Sequence, residues 1–440
     1  MNIKNLLTYP NIILNKNYCQ INNLENICES NGQYAVLNQS KNALILDRDI
    51  LGLNKLFYGI DKSTNEIVVG NTLYEIYKAN PSISSVKSQI PGKRLEIDLN
   101  TLECVTDEFE DLSTLDVTHI EDFNLTSFQN SIHNKLSSYF KFLSKKFRNK
   151  KIFVCLSGGL DSSIIAYYAK KHFDNITAIT FSLTSSKILN RSNPLNQNNY
   201  DSHISSSEVS DDYKKALRFS RELDIPFIGI FAENKISLNS LKDVLIYGQD
   251  YRDFNVHCAW VNYKIGKKIK NLFPEEDCVF LTGDLMNEFV ADYKPVIFEN
   301  IKYYTLPKLP TYRLNKILTY GLECGDREIG IFNHFNITTV QPFSTVFREY
   351  LKLPNEMFNR PDLKEHLNSS LIQDEHLRKL INTSKVRAQV GGSDGGVLAL
   401  FIKNKIRQKD LKKIWIDAFN ELNHSDTDFN SMIAFGHYRF

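Results

Sequence analysis

The chain has 440 residues, of which 42% are hydrophobic and 24% charged, with a formal net charge of +2. That balance fits a soluble globular protein of about two to three domains and gives no electrostatic footprint for nucleic acid. No stretch approaches the roughly 18 unbroken apolar residues of a membrane span. The opening MNIKNLLTYPNIILN reads as no signal peptide, and the seven scattered cysteines form no C-x-x-C pair. A cytoplasmic protein with reduced thiols and no zinc or redox site is expected.

Residues 1–110 read as strands and turns. NGQYAVLNQSKNALILDRD alternates around a polar break at Asn38, Gln39 and Ser40, as a hairpin does. LFYGIDKSTNEIVVG repeats the form, with Asp61 to Asn65 as its turn, and PGKRLEIDLNT adds a third unit. The region is expected to begin late, near Asn31. The acidic stretch 111–122 reads as a linker. Phe128, Ile132, Leu136, Phe140, Leu143 and Phe147 predict a helix over 123–147.

From residue 151 strands alternate with helices: IFVCL, a helix to His172, ITAITFSL, a helix over 208–223, then PFIGIF. This is the pattern of a parallel sheet covered on both faces. Residues 184–210, rich in Asn and Ser, predict a long loop over the carboxyl ends of the strands, where ligands sit in such sheets. The remainder, 235–440, is expected to be mostly helical.

The most informative segment is KIFVCLSGGLDSS, residues 151–163. An apolar strand ends in Ser157-Gly158-Gly159, and a helix starts near Leu160. Glycines let backbone N–H groups approach an anion, and a helix N-terminus adds partial positive charge. Ser157, Ser162 and Ser163 add hydroxyls. Asp161 suits a metal ion bridging phosphate oxygens.

LSGGLDSS resembles the pyrophosphate loop of the N-type ATP pyrophosphatases, and of the asparagine synthetase family in particular. The resemblance implies cleavage of ATP to AMP and pyrophosphate, with Mg2+. It implies an α/β fold: an N-terminal β-rich, degenerate N-terminal-nucleophile glutaminase-like domain, then a parallel-sheet synthetase domain of the adenine nucleotide α-hydrolase-like kind with a helical C-terminal part. The expected division is 1–110, a linker at 111–122, and 123–440. LDRDILGLNKLFYG and PGKRLEIDLNT are similar to the family's glutaminase-domain segments, yet Asn2 stands where its nucleophilic cysteine would be. An amide cannot form the thioester that releases ammonia. A shortened domain without glutaminase activity is therefore expected, as in β-lactam synthetase and the lasso-peptide cyclases.

LTGDLMNEFVADY, residues 281–293, is similar to the family's G-[ED]-G-x-D-E-L-F-G-G-Y, with Gly283, Asp284, Glu288 and Tyr293 matching. The resemblance implies that Asp284 contacts the reacting amine and accepts its proton, with Glu288 beside it. Thr282 and Gly283 would line the purine, and Leu156 and Phe181 would complete the nucleotide pocket. Asn287 replaces a metal-binding aspartate, so Asp161 and Asn287 are the implied metal pair. Asp326-Arg327, Pro342-Phe343 and Leu353-Pro354 match a later segment, but Thr338 and Val340 replace its glutamate and arginine. Asparagine is thus not the expected product. KVRAQVGGSDGGV resembles a segment whose cations meet the leaving pyrophosphate, a role that falls to Lys385 and Arg387. Gly391, Gly392, Gly395 and Gly396 predict a closing loop.

The expected reaction is amide formation through an acyl-adenylate. A small-molecule or peptide carboxylate would react with ammonia or an amine in specialised biosynthesis. Neither nucleic acid nor membrane is an expected partner, and a homodimer stays open. Two other readings stay open: a tRNA-modifying enzyme with the same loop, and a degenerate nucleotide-binding partner or sensor, for which Asn287, Thr338 and Val340 speak.

Overall fold

The computed structural model describes residues 1–13, 32–108, 117–184, 209–233, 235–290, 296–303, 326–381 and 396–422. The N-terminal part carries β1 (Asn2–Leu6), β2 (Ile12–Ile13), β3 (Gly32–Gln33), β4 (Ala35–Gln39), β5 (Ala43–Arg48), β6 (Phe57–Asp61), β7 (Glu66–Gly70), α1 (Leu73–Ala79), β8 (Val86–Ser88), β9 (Lys93–Asp98) and β10 (Cys104–Glu108). Two four-stranded sheets form, ordered β1-β7-β6-β8 and β10-β9-β5-β4. Leu44, Leu46, Leu56, Ile67, Val69 and Leu95 fill the space between them. Alternation along β5 and β7 sends every second side chain into that layer, as a period of two requires.

The predicted hairpins β4–β5, β6–β7 and β9–β10 all form antiparallel. Asn65 closes the second at φ +57°, a conformation asparagine tolerates. The late start is corrected, because β1 pairs parallel with β7 from Asn2↔Glu66 to Leu6↔Gly70. NIKNL has too few apolar residues to announce a strand; polar pairing holds it instead. Asn2 Nδ2 donates to Glu66 Oε1 at 2.8 Å, and Lys4 Nζ lies 3.0 Å from the same oxygen.

Of the linker stretch, residues 117–122 form neither helix nor strand, and 109–116 lie outside the described residues. Then α2 (Leu125–Lys146) begins where Asn124 accepts from Ser127 N at 2.9 Å. Its buried stripe is Phe128, Ile132, Leu136, Tyr139, Phe140 and Leu143.

Next come β11 (Lys151–Cys155), α3 (Leu160–His172), β12 (Ile176–Thr184), α4 (Asp211–Glu222), β13 (Phe227–Glu233), α5 (Leu238–Gly248), α6 (Asp253–Leu272) and β14 (Cys278–Leu281). They are followed by α7 (Met286–Val290), a two-stranded β15 (Val296–Phe298) and β16 (Ile301–Tyr303), α8 (Ile329–Asn333) and β17 (Thr338–Val340). The central sheet runs β13-β12-β11-β14-β17, and every pairing is parallel. Residues 235–440 thus hold two strands of the main sheet that their helical reading missed. CVFL and TTV are too short to separate from helix by periodicity.

Residues α2, α3 and α4 contribute, among them Leu136, Ile164, Ile165 and Phe219, cover one face of the sheet with Ile152 and Val154. On the other face Phe153 and Phe280 meet Leu245, Trp260 and Ile269 of α5 and α6. Each such side chain contributes about 1.5–3 kcal/mol when fully buried. No helix among the described residues is long and apolar enough to cross a membrane.

Polar contacts join the β-rich region to the parallel sheet. Tyr9 Oη donates to Asp326 Oδ2 at 2.6 Å, and Leu73 N donates to Gln249 Oε1 at 2.9 Å. Gln33 Nε2 donates to Thr339 O at 3.2 Å while its Oε1 accepts from Gln341 N at 2.7 Å. One side-chain amide thereby supplies a donor and an acceptor to the outer edge of β17, as a neighbouring strand would.

Candidate functional site

All carboxyl ends of the parallel strands lie on one edge, and the predicted loop follows β11 there. Gly158 has φ +69°, and a Cβ at this residue would fall 2.5 Å from Lys215 Cβ and 2.9 Å from Ala216 N of α4. Only glycine meets both demands. Gly159 is the N-cap of α3. Ser162 ties the turn: its Oγ donates to Gly159 O at 3.1 Å, accepts from Ser157 N at 3.1 Å and sits 3.0 Å from Ser157 Oγ. The first-turn N–H groups of α3 have no intrahelical acceptors, by helix construction.

The second predicted segment packs directly on this turn. A Cβ at Gly283 would lie 2.8 Å from Ser162 N and 2.9 Å from Asp161 C. Gly283 thus packs against Asp161 and Ser162 of the turn. Ser163 is fully buried and its hydroxyl lacks a hydrogen-bond partner. Phe181, on β12, is half-buried and edge-on to Trp260 at 6.0 Å.

Asp161 and Asn287, the metal pair implied by the resemblance, both bind one lysine, which stands between them. Lys364 Nζ donates to Asp161 Oδ2 at 2.8 Å and to Asn287 Oδ1 at 2.7 Å. Lys364 belongs to α10 (Leu363–Asn368), after α9 (Phe347–Leu351). Asp161 Oδ1 is buried and has no hydrogen-bond partner. No cluster of three or more His, Cys, Asp or Glu able to hold a metal occurs among the described residues.

Asp284 and Glu288 share one cation. Arg327 Nη2 donates to Asp284 Oδ1 at 2.6 Å and to Glu288 Oε1 at 3.2 Å. Between Asp284 and α7, Leu285 is buried at φ +84°, a conformation costly for a side chain of its kind. The turn it makes starts the short helix that carries Asn287 and Glu288.

Sequence reasoning missed a further acid, Glu328. Its Oε2 accepts from Thr282 Oγ1 at 2.7 Å and from Gln341 Nε2 at 3.0 Å. Burial first, and then the charge of Asp284, push this carboxyl up to about 8. Burial, with Glu328 adding to it, also drives the Cys155 thiol well up, which leaves it a poor nucleophile. Glu328 directly follows the matched Asp326-Arg327 pair, and nothing in its own spacing marks it.

Lys385, Arg387, Tyr293 and the glycines at 391, 392 and 395 lie outside the described residues, as does 185–208 of the predicted loop. Gly396 opens α12 (Gly396–Lys403), which follows α11 (Glu375–Ile381). Of the two departures before Pro342, Val340 is fully buried on β17 and Thr338 partly so.

An asparagine synthase family model matches residues 147–318, under half of the chain. No curated protein matches. Among solved structures, an NMN synthetase from Francisella tularensis aligns at 13% identity and a TM-score of 0.30, covering 72% of this chain and 96% of that one. A glutamine-dependent NAD+ synthetase from Acinetobacter baumannii aligns at 14% identity and a TM-score of 0.29, covering 96% of this chain and 62% of its own. A U34-tRNA thiolase from Methanococcus maripaludis aligns at 14% identity and a TM-score of 0.28, covering 68% and 82% respectively.

Proposed function

We propose that the chain is an ATP-dependent carbon–nitrogen ligase that activates a carboxylate as an acyl-adenylate and passes it to ammonia or an amine. The observation that carries this is the Ser157–Ser163 turn: Gly158 at φ +69° and the α3 N-terminus at the carboxyl edge of a parallel sheet. The family match over 147–318 supports the same reading.

The turn would hold the β- and γ-phosphates. A substrate carboxylate oxygen attacks the α-phosphorus, the bond to the bridging oxygen breaks, and pyrophosphate leaves. The amine nitrogen then bonds to the acyl carbon, AMP departs, and the proton lost by the amine passes to Asp284. Arg327 keeps Asp284 aimed and its charge balanced at 2.6 Å. Lys385 and Arg387 would neutralise charge on the leaving pyrophosphate. Holding amine and adenylate together supplies much of the rate.

Asp161 Oδ1, buried and without a hydrogen-bond partner, fits one ligand position of a Mg2+ ion carried in on the nucleotide. Such an ion would supply neutralisation of phosphate charge. We further propose the division 1–110, 111–122 and 123–440, with the first part a glutaminase-like domain that has lost that chemistry. Asn2 serves there as a strand residue bonded to Glu66. The replaced positions Thr338 and Val340 favour a specialised product over asparagine.

The test is product analysis with candidate carboxylate and amine pairs. AMP and pyrophosphate are expected, and Asp161→Ala and Ser157→Ala should each lower their release by about 10²-fold or more. ADP as the product would overturn the assignment.

A further inference from the structure

We propose that the ammonium of Lys364 is the resident cation of the nucleotide site, filling the position between Asp161 and Asn287 in place of a protein-held divalent metal. This deepens the ATP reading and rests on it for the role of the site. The placement itself rests on geometry: Nζ lies 2.8 Å from Asp161 Oδ2 and 2.7 Å from Asn287 Oδ1, with Lys364 and Asp161 both buried.

Charge counting favours the ammonium. Asp161 brings one negative charge and Asn287 none, so a univalent cation neutralises the pair. A divalent ion held by the same two oxygens would leave one positive charge unbalanced in a buried place, where uncompensated charge is costly. Asn287 also suits an ammonium well, since a neutral carbonyl oxygen accepts from N–H without drawing a stronger cation. Lys364 is buried on α10 and its ammonium already bonds both oxygens, so the charge is in place before any nucleotide arrives. A phosphate chain laid on the Ser157–Ser163 turn would meet this charge beside Asp161. The second consequence is a lowered demand for metal. At most one divalent ion, on Asp161 Oδ1 and the phosphates, is required, and the ammonium covers the other side.

Two measurements test this. In the first, the nucleotide-free protein is titrated with Mn2+ and followed by electron paramagnetic resonance. Wild type should take up no Mn2+ at this position. Lys364→Met should gain one ion, and Lys364→Met combined with Asn287→Asp should bind it at least ten-fold more tightly. Equal uptake by wild type and Lys364→Met would overturn the proposal. In the second, ATP binding is measured calorimetrically with Mg2+ and with EDTA. Wild type should keep binding in EDTA within about ten-fold of its Mg2+ value, whereas Lys364→Met should lose 100-fold or more. Complete loss by wild type in EDTA would overturn the proposal without recourse to any variant, so a Lys364→Met chain that fails to fold leaves it falsifiable. If wild type binds ATP under neither condition, the ligase reading falls, and the Mn2+ titration still decides whether the ammonium holds its place.

Discussion

Thr282 Oγ1 donates to Glu328 Oε2 at 2.7 Å, tying the end of β14 to a carboxyl 46 residues further along the chain. Gln341 Nε2 binds the same oxygen from the end of β17. One carboxyl oxygen is thus clamped by two strand ends beside Asp284, and three acids, Asp284, Glu288 and Glu328, gather around Arg327.

That clamp makes stability pH-dependent in a defined direction. The Glu328 carboxyl is raised to about 8, so between its unfolded value near 4.5 and about 8 the folded chain holds a proton that the unfolded chain has released. Stability from this group is fully present below pH 4.5 and falls as pH rises through the window. Glu328→Gln keeps an acceptor for Thr282 and a neutral charge. It should match wild type at pH 5 and exceed it by about 1–2 kcal/mol at pH 8.5, less than full linkage because the group is only partly buried. Urea denaturation at both pH values measures the difference, and parallel slopes for the two proteins would refute it.

Part of this site could be read from the letters, and the reason for the rest is physical. Hairpins, the α2 stripe and the S-G-G turn are local, so alternation, spacing and glycine placement reveal them. β1 escaped because Asn2 and Lys4 hold it through Glu66 rather than through apolar burial. Lys364 and Glu328 escaped because each reaches its partners across the fold. Lys364 meets Asp161 over 203 residues, a convergence no window of the sequence displays. The Asp161–Asn287 pairing was legible only through the resemblance.

Gly158→Ala should abolish nucleotide binding and lower stability. The methyl would meet Lys215 Cβ at 2.5 Å, and φ +69° is unfavourable for alanine by about 1–2 kcal/mol before any clash. A total loss of at least about 2 kcal/mol is expected. Gly159→Ala is the control, because φ −89° and ψ 165° suit any residue there. Thermal melts of both variants check the contrast, and equal destabilisation would contradict it.

Removing Arg327 should cost more than removing either acid. Arg327→Met leaves Asp284 and Glu288 with their shared cation gone, and breaking such a partly buried group costs about 2–3 kcal/mol. Arg327→Met with Glu288→Gln should recover about 1 kcal/mol by removing one of the two stranded charges. A double-mutant cycle in urea measures the coupling, and strict additivity would rule out the shared role. Arg327→Lys should retain most of the stability yet lose amide formation, since a point charge cannot orient two carboxylates as a planar fork does.

Tyr9→Phe tests how the β-rich region holds the sheet that carries the site. The phenol donates to Asp326 Oδ2 at 2.6 Å, and Gly330 N donates to Oδ1 at 2.8 Å. Burial raises the Asp326 carboxyl above its usual range, while Lys55, the Tyr9 and Gly330 hydrogen bonds, and Arg48 restrain it. Deleting the phenol oxygen removes one restraint, so the variant's Asp326 carboxyl should rise further. A raised carboxyl loses stability as pH climbs from its unfolded value near 3.8 through its folded one. Tyr9→Phe should therefore cost about 1.5–3 kcal/mol at pH values where the carboxyl is ionised, the range for a hydrogen bond to a charged group, and distinctly less as falling pH protonates it. Because Asp326 directly precedes Arg327, loosening it should also weaken the aim on Asp284. The rate of amide formation should drop with little change in ATP affinity, and an unchanged rate in a destabilised variant would show that Tyr9 braces the fold without reaching the chemistry.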